Sequence, residues 1–130
     1  MELTQLFLRC LDYEAWKQRY ASVYSKFVRS PQLPRVKIAV LDTGLDESHP
    51  YVEARIEKIK ARYNWMAKTD GDKQRVSDNH GHGTFTASLI LEYTPDAELY
   101  IAKITADNRP APPEIIAKAS FPPPPPQTLL

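Results

Sequence analysis

The stretch Val36-Lys37-Ile38-Ala39-Val40-Leu41 narrows the choice of fold more than any other part of the chain. It is short, rich in β-branched residues and nearly continuous in apolar character. That pattern belongs to a strand buried on both faces of a parallel sheet, because a half-solvated strand alternates instead. The run opens directly into Asp42-Thr43-Gly44. In open parallel sheets the crevice that receives ligands lies outside the carboxyl ends of the strands, so Asp42 is a candidate for chemistry by its position. A second run, Glu98 to Ile104, follows the turn Tyr93-Thr94-Pro95-Asp96, and the small, apolar stretch Thr84 to Tyr93 before that turn reads as a buried helix. Strand, helix, strand is the grammar of an α/β fold.

Elsewhere the periodicity is helical. Val52, Ile56, Ile59 and Tyr63 recur at helical spacing, and Lys68 to Asn79 is a polar, exposed loop. Pro112-Pro113-Glu114 starts another short helix with Ile115, Ile116 and Ala119 on its apolar side. At the other end, Leu3, Leu6, Phe7, Cys10 and Leu11 begin an apolar stripe that Tyr13, Trp16, Tyr20, Val23 and Phe27 continue, which predicts one or two amphipathic helices over residues 2 to 28. Such a stripe packs on a neighbouring domain. Ser30-Pro31-Gln32-Leu33-Pro34 breaks it, since proline restricts its own backbone and that of the residue before it. The expected organisation is a helical segment over 1–34, an α/β domain over 35–119, and a tail over 120–130. In that tail Phe121 and five consecutive prolines favour polyproline II, either as a ligand for aromatic-lined grooves or as the product of a shifted frame or alternative exon.

The 17 Lys and Arg residues nearly balance the 16 Asp and Glu, so there is no broad field to draw in nucleic acid or an anionic membrane. Partner choice falls to a local site. Cys10 is the one cysteine and forms no internal disulfide; within the stripe it packs as a small hydrophobe. Met1-Glu2-Leu3-Thr4 lacks the basic region and apolar stretch of a secretory signal, which makes an intracellular location the default, and no stretch is long enough to span a bilayer.

Asp42-Thr43-Gly44 alone is a weak signal, because aspartic proteases use the same tripeptide. The second feature is His80-Gly81-His82-Gly83-Thr84, leading into the small-residue helix. With both motifs in that order, the chain resembles the subtilisin-like serine protease family from about Val36 to Ala119, including His49-Pro50 after the Asp motif and the strand at Leu99 to Ile104. The resemblance implies a partial subtilisin-like three-layer α/β fold with a parallel sheet, preceded by amphipathic helices. It also implies serine-type endopeptidase chemistry on protein or peptide substrates, without a cofactor. The matching His, His82, would take a proton from a Ser hydroxyl, and Asp42 would hold the imidazole's tautomer and stabilise its charged form. Gly81 and Gly83 would let the backbone come close on both sides of the imidazole.

The departures from the family matter as much. Phe85 and Ser88 stand where the family usually has a second His and a Gly, and Ser88 is expected to crowd the contact with the strand carrying Asp42. Some relatives ligate calcium with an Asp after His-Pro, where this chain has Tyr51. A transition-metal set of His80, His82, Asp78 and Asp42 matches no standard zinc spacing, so no metal is expected. The oxyanion Asn and the Gly-Thr-Ser-Met-Ala-type segment bearing the nucleophile are absent from the 130 residues. In a subtilisin, loss of that Ser costs roughly 10⁶ in turnover. The chain is therefore expected to be a truncated, inactive product, prone to associate through exposed sheet edges. The alternative is a non-catalytic interaction protein that binds a partner through Phe7 and Trp16 of the N-terminal stripe or through the proline run.

Overall fold

The computed structural model describes the backbone of residues 3–107 and 109–120, with side chains from residue 12 onward. The polyproline expectation for the tail and the packing expected of Phe7 and Cys10 fall outside these. Two compact units divide at Pro34 and Arg35.

The first unit is helix α1, Leu3–Val23, which widens into a π-helical turn over Tyr24–Val28 and ends as Arg29 turns extended. Three- and four-residue spacing brings aromatic rings together along one side of a helix. Accordingly Tyr13 lies 6.2 Å from Trp16, Trp16 5.5 Å from Tyr20, and Tyr20 6.0 Å from Tyr24, centroid to centroid. No described side chain of this unit is buried.

In the second unit β1 (Lys37–Asp42), β2 (Ile59–Asn64) and β3 (Glu98–Lys103) form one parallel sheet in the order β1-β3-β2. β3 is central. β1 pairs with it from Lys37 opposite Glu98 to Asp42 opposite Lys103, and β2 from Ile59 opposite Leu99 to Asn64 opposite Lys103. Parallel pairing thus brings Asp42, Asn64 and Lys103 together at the carboxyl end of the sheet. Three helices accompany it: α2 (Pro50–Glu53), α3 (His82–Tyr93) and α4 (Pro113–Ala119). Pro50 starts α2 because its fixed φ suits the first helical position, with His49 extended before it.

The core has two parts, one for each face of the sheet. Val40, Leu99 and Ile101 pack with Leu45, Val52, Val76, and Ala87 and Leu91 of α3. Ala102, Ile104 and Ala119 of α4 make the smaller cluster, against which Leu41, Trp65 and Ile115 pack. Successive strand residues point to opposite faces, which is why neighbours such as Val40 and Leu41 serve different clusters. β3 is the strand buried most completely, with Leu99 at 0% and Ile101 at 3% exposure. β1, expected to be buried on both faces, is less so: Val40 is buried, but Ala39 and Lys37 are exposed. Among the described residues it is an outside strand.

The helix expected from Val52 to Tyr63 does not form. α2 stops at Glu53, a single 3₁₀ turn covers Ile56–Lys58, and the chain then enters β2. Val52 and Ile59 do reach the core, while Ile56 is exposed. The strand escaped the sequence pattern because charged Lys60 and Arg62 punctuate it, and a register irregularity between Ile59 and Ala61 breaks its alternation. Pairing along the second edge of β3 outweighs the helical spacing. Such overrides are usual, because strand formation depends more on context than helix propensity does.

Candidate functional site

Asp42 ends β1, and Thr43 N–H donates to its Oδ1 at 2.7 Å. His82 opens α3. Its Nδ1 lies 2.8 Å from both carboxylate oxygens of Asp42. A carboxylate accepts, so Nδ1 carries the proton and, in the neutral ring, Nε2 keeps its lone pair. The Asp42 side chain is 14% exposed and that of His82 64%. The imidazole is thus held from behind and open in front, an arrangement able to accept a proton at Nε2.

Two glycines allow this approach, for different reasons. A Cβ on Gly83 would fall 2.3 Å from the Gly44 carbonyl oxygen and 3.2 Å from Asp42 Cβ, so only glycine lets the start of α3 lie against the loop after β1. Gly81 has open space around it and is needed instead for its backbone, at φ +93°. The expectation of two close approaches therefore reduces to one, at Gly83. A tight contact between the Asp-bearing segment and α3 is here as well, and further along α3 the Ser88 hydroxyl is buried without a hydrogen-bond partner.

Asp78 is the residue whose structural weight sequence reasoning missed. Its Oδ1 accepts from the Thr43 hydroxyl at 2.8 Å, His80 N–H at 3.1 Å and Gly81 N–H at 2.8 Å. Oδ2 accepts from Thr84 N–H at 2.8 Å and the Thr84 hydroxyl at 2.6 Å. Partial burial would by itself raise this carboxyl, but hydrogen bonds from Thr84, Gly81 and Thr43 outweigh it and hold the group well below the usual carboxylate range. Beneath the loop, Lys103 Nζ donates to the carbonyls of Thr43 at 2.8 Å and Ser77 at 2.5 Å. Burial pushes this ammonium down, and the charge of Asp78 opposes the shift. Two signals were present in the sequence: an acidic residue shortly before a helix start, and a lone charge at the carboxyl end of an apolar strand.

The other candidates are accounted for separately. His80 contributes its backbone N–H to Asp78. Among the described residues, no group of three or more His, Cys, Asp or Glu side chains gathers as a metal site would. Tyr51 packs against the core and carries the Arg55 guanidinium over its ring at 3.9 Å. Phe85 is 62% exposed on the first turn of α3. No helix among the described residues is long and apolar enough to cross a membrane.

The model described as the Subtilase family matches residues 34–120. The chain is 36% identical over 80 residues to the membrane-bound transcription factor site-1 protease of Homo sapiens, a match covering 57% of this chain and 7% of that protein. It is 40% identical over 78 residues to the intracellular serine protease of Paenibacillus polymyxa, covering 53% and 23%. Over 95 residues it is 32% identical to the major intracellular serine protease of Bacillus subtilis, covering 61% and 29%. The chain thus spans less than a third of the length of each of these relatives.

Proposed function

The chain belongs to the subtilase family, and from that premise we propose that it is the part of a serine-type endopeptidase that carries the Asp and His of the catalytic triad. The observation that supports this reading is the contact of His82 Nδ1 with both oxygens of Asp42 at 2.8 Å, with the imidazole otherwise exposed. His82 is the general base. As a Ser hydroxyl attacks the scissile carbonyl of a protein or peptide, Nε2 takes the hydroxyl proton and then delivers it to the leaving amine. Asp42 keeps the proton of Nδ1 in place and offsets the charge of the imidazolium. On this reading the Ser and the oxyanion donor come from segments outside the 130 residues, and the chain by itself has no peptidase turnover.

The test reads transcript and genomic DNA past the codon for Ala119, in every frame, for an Asn-bearing strand and a Gly-Thr-Ser segment. A longer chain that includes both is expected to react with a fluorophosphonate serine probe and to lose that reaction on His82→Ala. The 130-residue chain is expected not to react. Labelling of the 130-residue chain, or labelling of the longer one that survives His82→Ala, would overturn the reading.

The same proposal includes association of isolated chains through the outer edges of β1 and β2, each of which pairs only with β3 among the described residues. Light scattering during size-exclusion chromatography reads this directly. An alternative role is partner binding through the N-terminal stripe or the proline run; of the stripe, the Phe7 side chain and the run lie outside the described residues, while Trp16 and Phe27 are 49% and 71% exposed. It is distinguished by Phe27→Ala and Trp16→Ala, which would weaken partner capture and leave probe labelling of the longer chain untouched.

A further inference from the structure

The hydroxyls of Thr43 and Thr84 each stand between a backbone N–H and Asp78. Thr43 Oγ1 accepts from Gly83 N–H at 2.9 Å and donates to Asp78 Oδ1 at 2.8 Å. Thr84 Oγ1 accepts from Asp46 N–H at 2.9 Å and donates to Asp78 Oδ2 at 2.6 Å. The direction of each relay is fixed: an N–H can only donate, so the single hydroxyl proton is left for the carboxylate. The two relays also cross. One runs from α3 through the loop after β1, and the other runs from that loop through α3, and both end on one carboxylate. They connect the residues immediately after Asp42 with those immediately after His82.

We propose that Asp78 is a positioning residue which, through Thr43 and Thr84, sets the His82 imidazole against Asp42. This rests on the reading of His82 as general base, but it concerns a residue that touches neither reacting atom. His82 is 64% exposed in its side chain, so its own packing does little to fix it. The backbone on either side of it is fixed instead: Gly81 N–H and Thr84 N–H are both held by Asp78, and Gly83 N–H by Thr43. Contact with both Asp42 oxygens needs the ring placed to within a few tenths of an ångström, and a displacement of about 1 Å is enough to cost a positioned catalytic group roughly a hundredfold in rate. The polar network is fully satisfied, the condition under which such groups rigidify rather than destabilise a site. Lys103 holds the carbonyls of Thr43 and Ser77 from below and so keeps the threonine and the Asp78 loop together.

The experiment uses proton and nitrogen NMR of the 130-residue chain and follows the low-field Nδ1–H resonance of His82, which survives exchange with water only while the hydrogen bond to Asp42 is made. Methyl signals of Val40, Leu99 and Ile101 report the core at the same time. In the wild type the resonance is expected, and Asp42→Asn is expected to remove it. Asp78→Asn and Thr43→Val are each expected to broaden it beyond detection while the methyl signals hold their shifts. Thr43→Ser, which keeps the hydroxyl and loses the methyl, is expected to retain it. If Thr43 mattered only as a packed side chain, Val would be tolerated and Ser would not, and that pattern overturns the proposal. So does a resonance that persists in Asp78→Asn, or a loss of the methyl signals in both Asp78→Asn and Thr43→Val. If instead the wild-type chain shows sharp methyl signals but no such resonance, it is the His82–Asp42 pair that fails, and the reading of His82 as base falls with it.

Discussion

Helix α1 and the α3 start are built from similar local material, a helix with apolar residues at regular spacing, yet they come out as opposites. Along α1 and the π-helical turn after it the described apolar residues line up as the pattern requires, and none is buried: Val23 in the helix is 54% exposed and Phe27 in the turn 71%. In α3, Ala87 is 0% and Leu91 1% exposed, and the first turn is tied by hydrogen bonds to Thr43 and Asp46, residues distant in sequence. A stripe only offers a face, and burial requires a partner surface that local sequence does not supply. The stability of the chain should accordingly be concentrated in the sheet and the α3 junction.

Four measurements sharpen or break that contrast. Leu99→Ala, at the centre of β3, is expected to cost about 4 kcal/mol in urea unfolding, because it empties a fully enclosed site. Gly83→Ala is expected to cost about 3 kcal/mol, since its Cβ meets the Gly44 backbone at 2.3 Å and backbone cannot swing aside. Gly71→Ala, with nothing within 4 Å, is its control and is expected to change stability by less than about 0.5 kcal/mol.

The third measurement is an acid titration followed by Trp65 fluorescence in a Trp16→Phe background. The Asp78 carboxyl lies below its unfolded value of 3.8, so the unfolded chain takes up the proton first. Its contribution to stability is complete above about pH 5 and is lost as pH falls through and below the ordinary carboxylate range. Asp78→Asn is expected to remove that part of the acid sensitivity. The smallest effect is expected for Phe27→Ala, less than about 0.5 kcal/mol for an exposed side chain. A cost approaching that of Leu99→Ala would erase the contrast, because the exposed residue would then be carrying core-like energy.

The residues most easily found from sequence were those whose role depends on local surroundings. Val40 and Leu41 announced a strand because a continuous apolar run has few other uses, and Asp42 gained meaning from standing at its end. His82 was legible through its flanking glycines and the small-residue helix that follows. β2 was not, because its pattern is interrupted by Lys60 and Arg62 and its stability comes from pairing with β3, a partner far along the chain. Asp78 was hidden differently. It lies in a polar segment where an acidic residue is ordinarily solvated, and its place shortly before the start of α3 is the one local mark that sets it apart from Asp70 or Asp72.

Sequence by itself determined the α/β class and the family, and it supplied the expectations of a break near Pro34 and of Asp42 and His82 as the site, since each is carried by short-range pattern or by a motif of adjacent residues. Tertiary structure alone decided that β3 is the central strand, that Gly83 is needed for space and Gly81 for conformation, and that a loop carboxylate, two threonine hydroxyls and a buried lysine are hydrogen-bonded between the segments that carry Asp42 and His82. The physical reason is one of range. Periodicity and turn chemistry act between neighbours. Strand order, close backbone approach and the direction of a relayed hydrogen bond exist only once segments separated by dozens of residues have been brought within about 3 Å of one another.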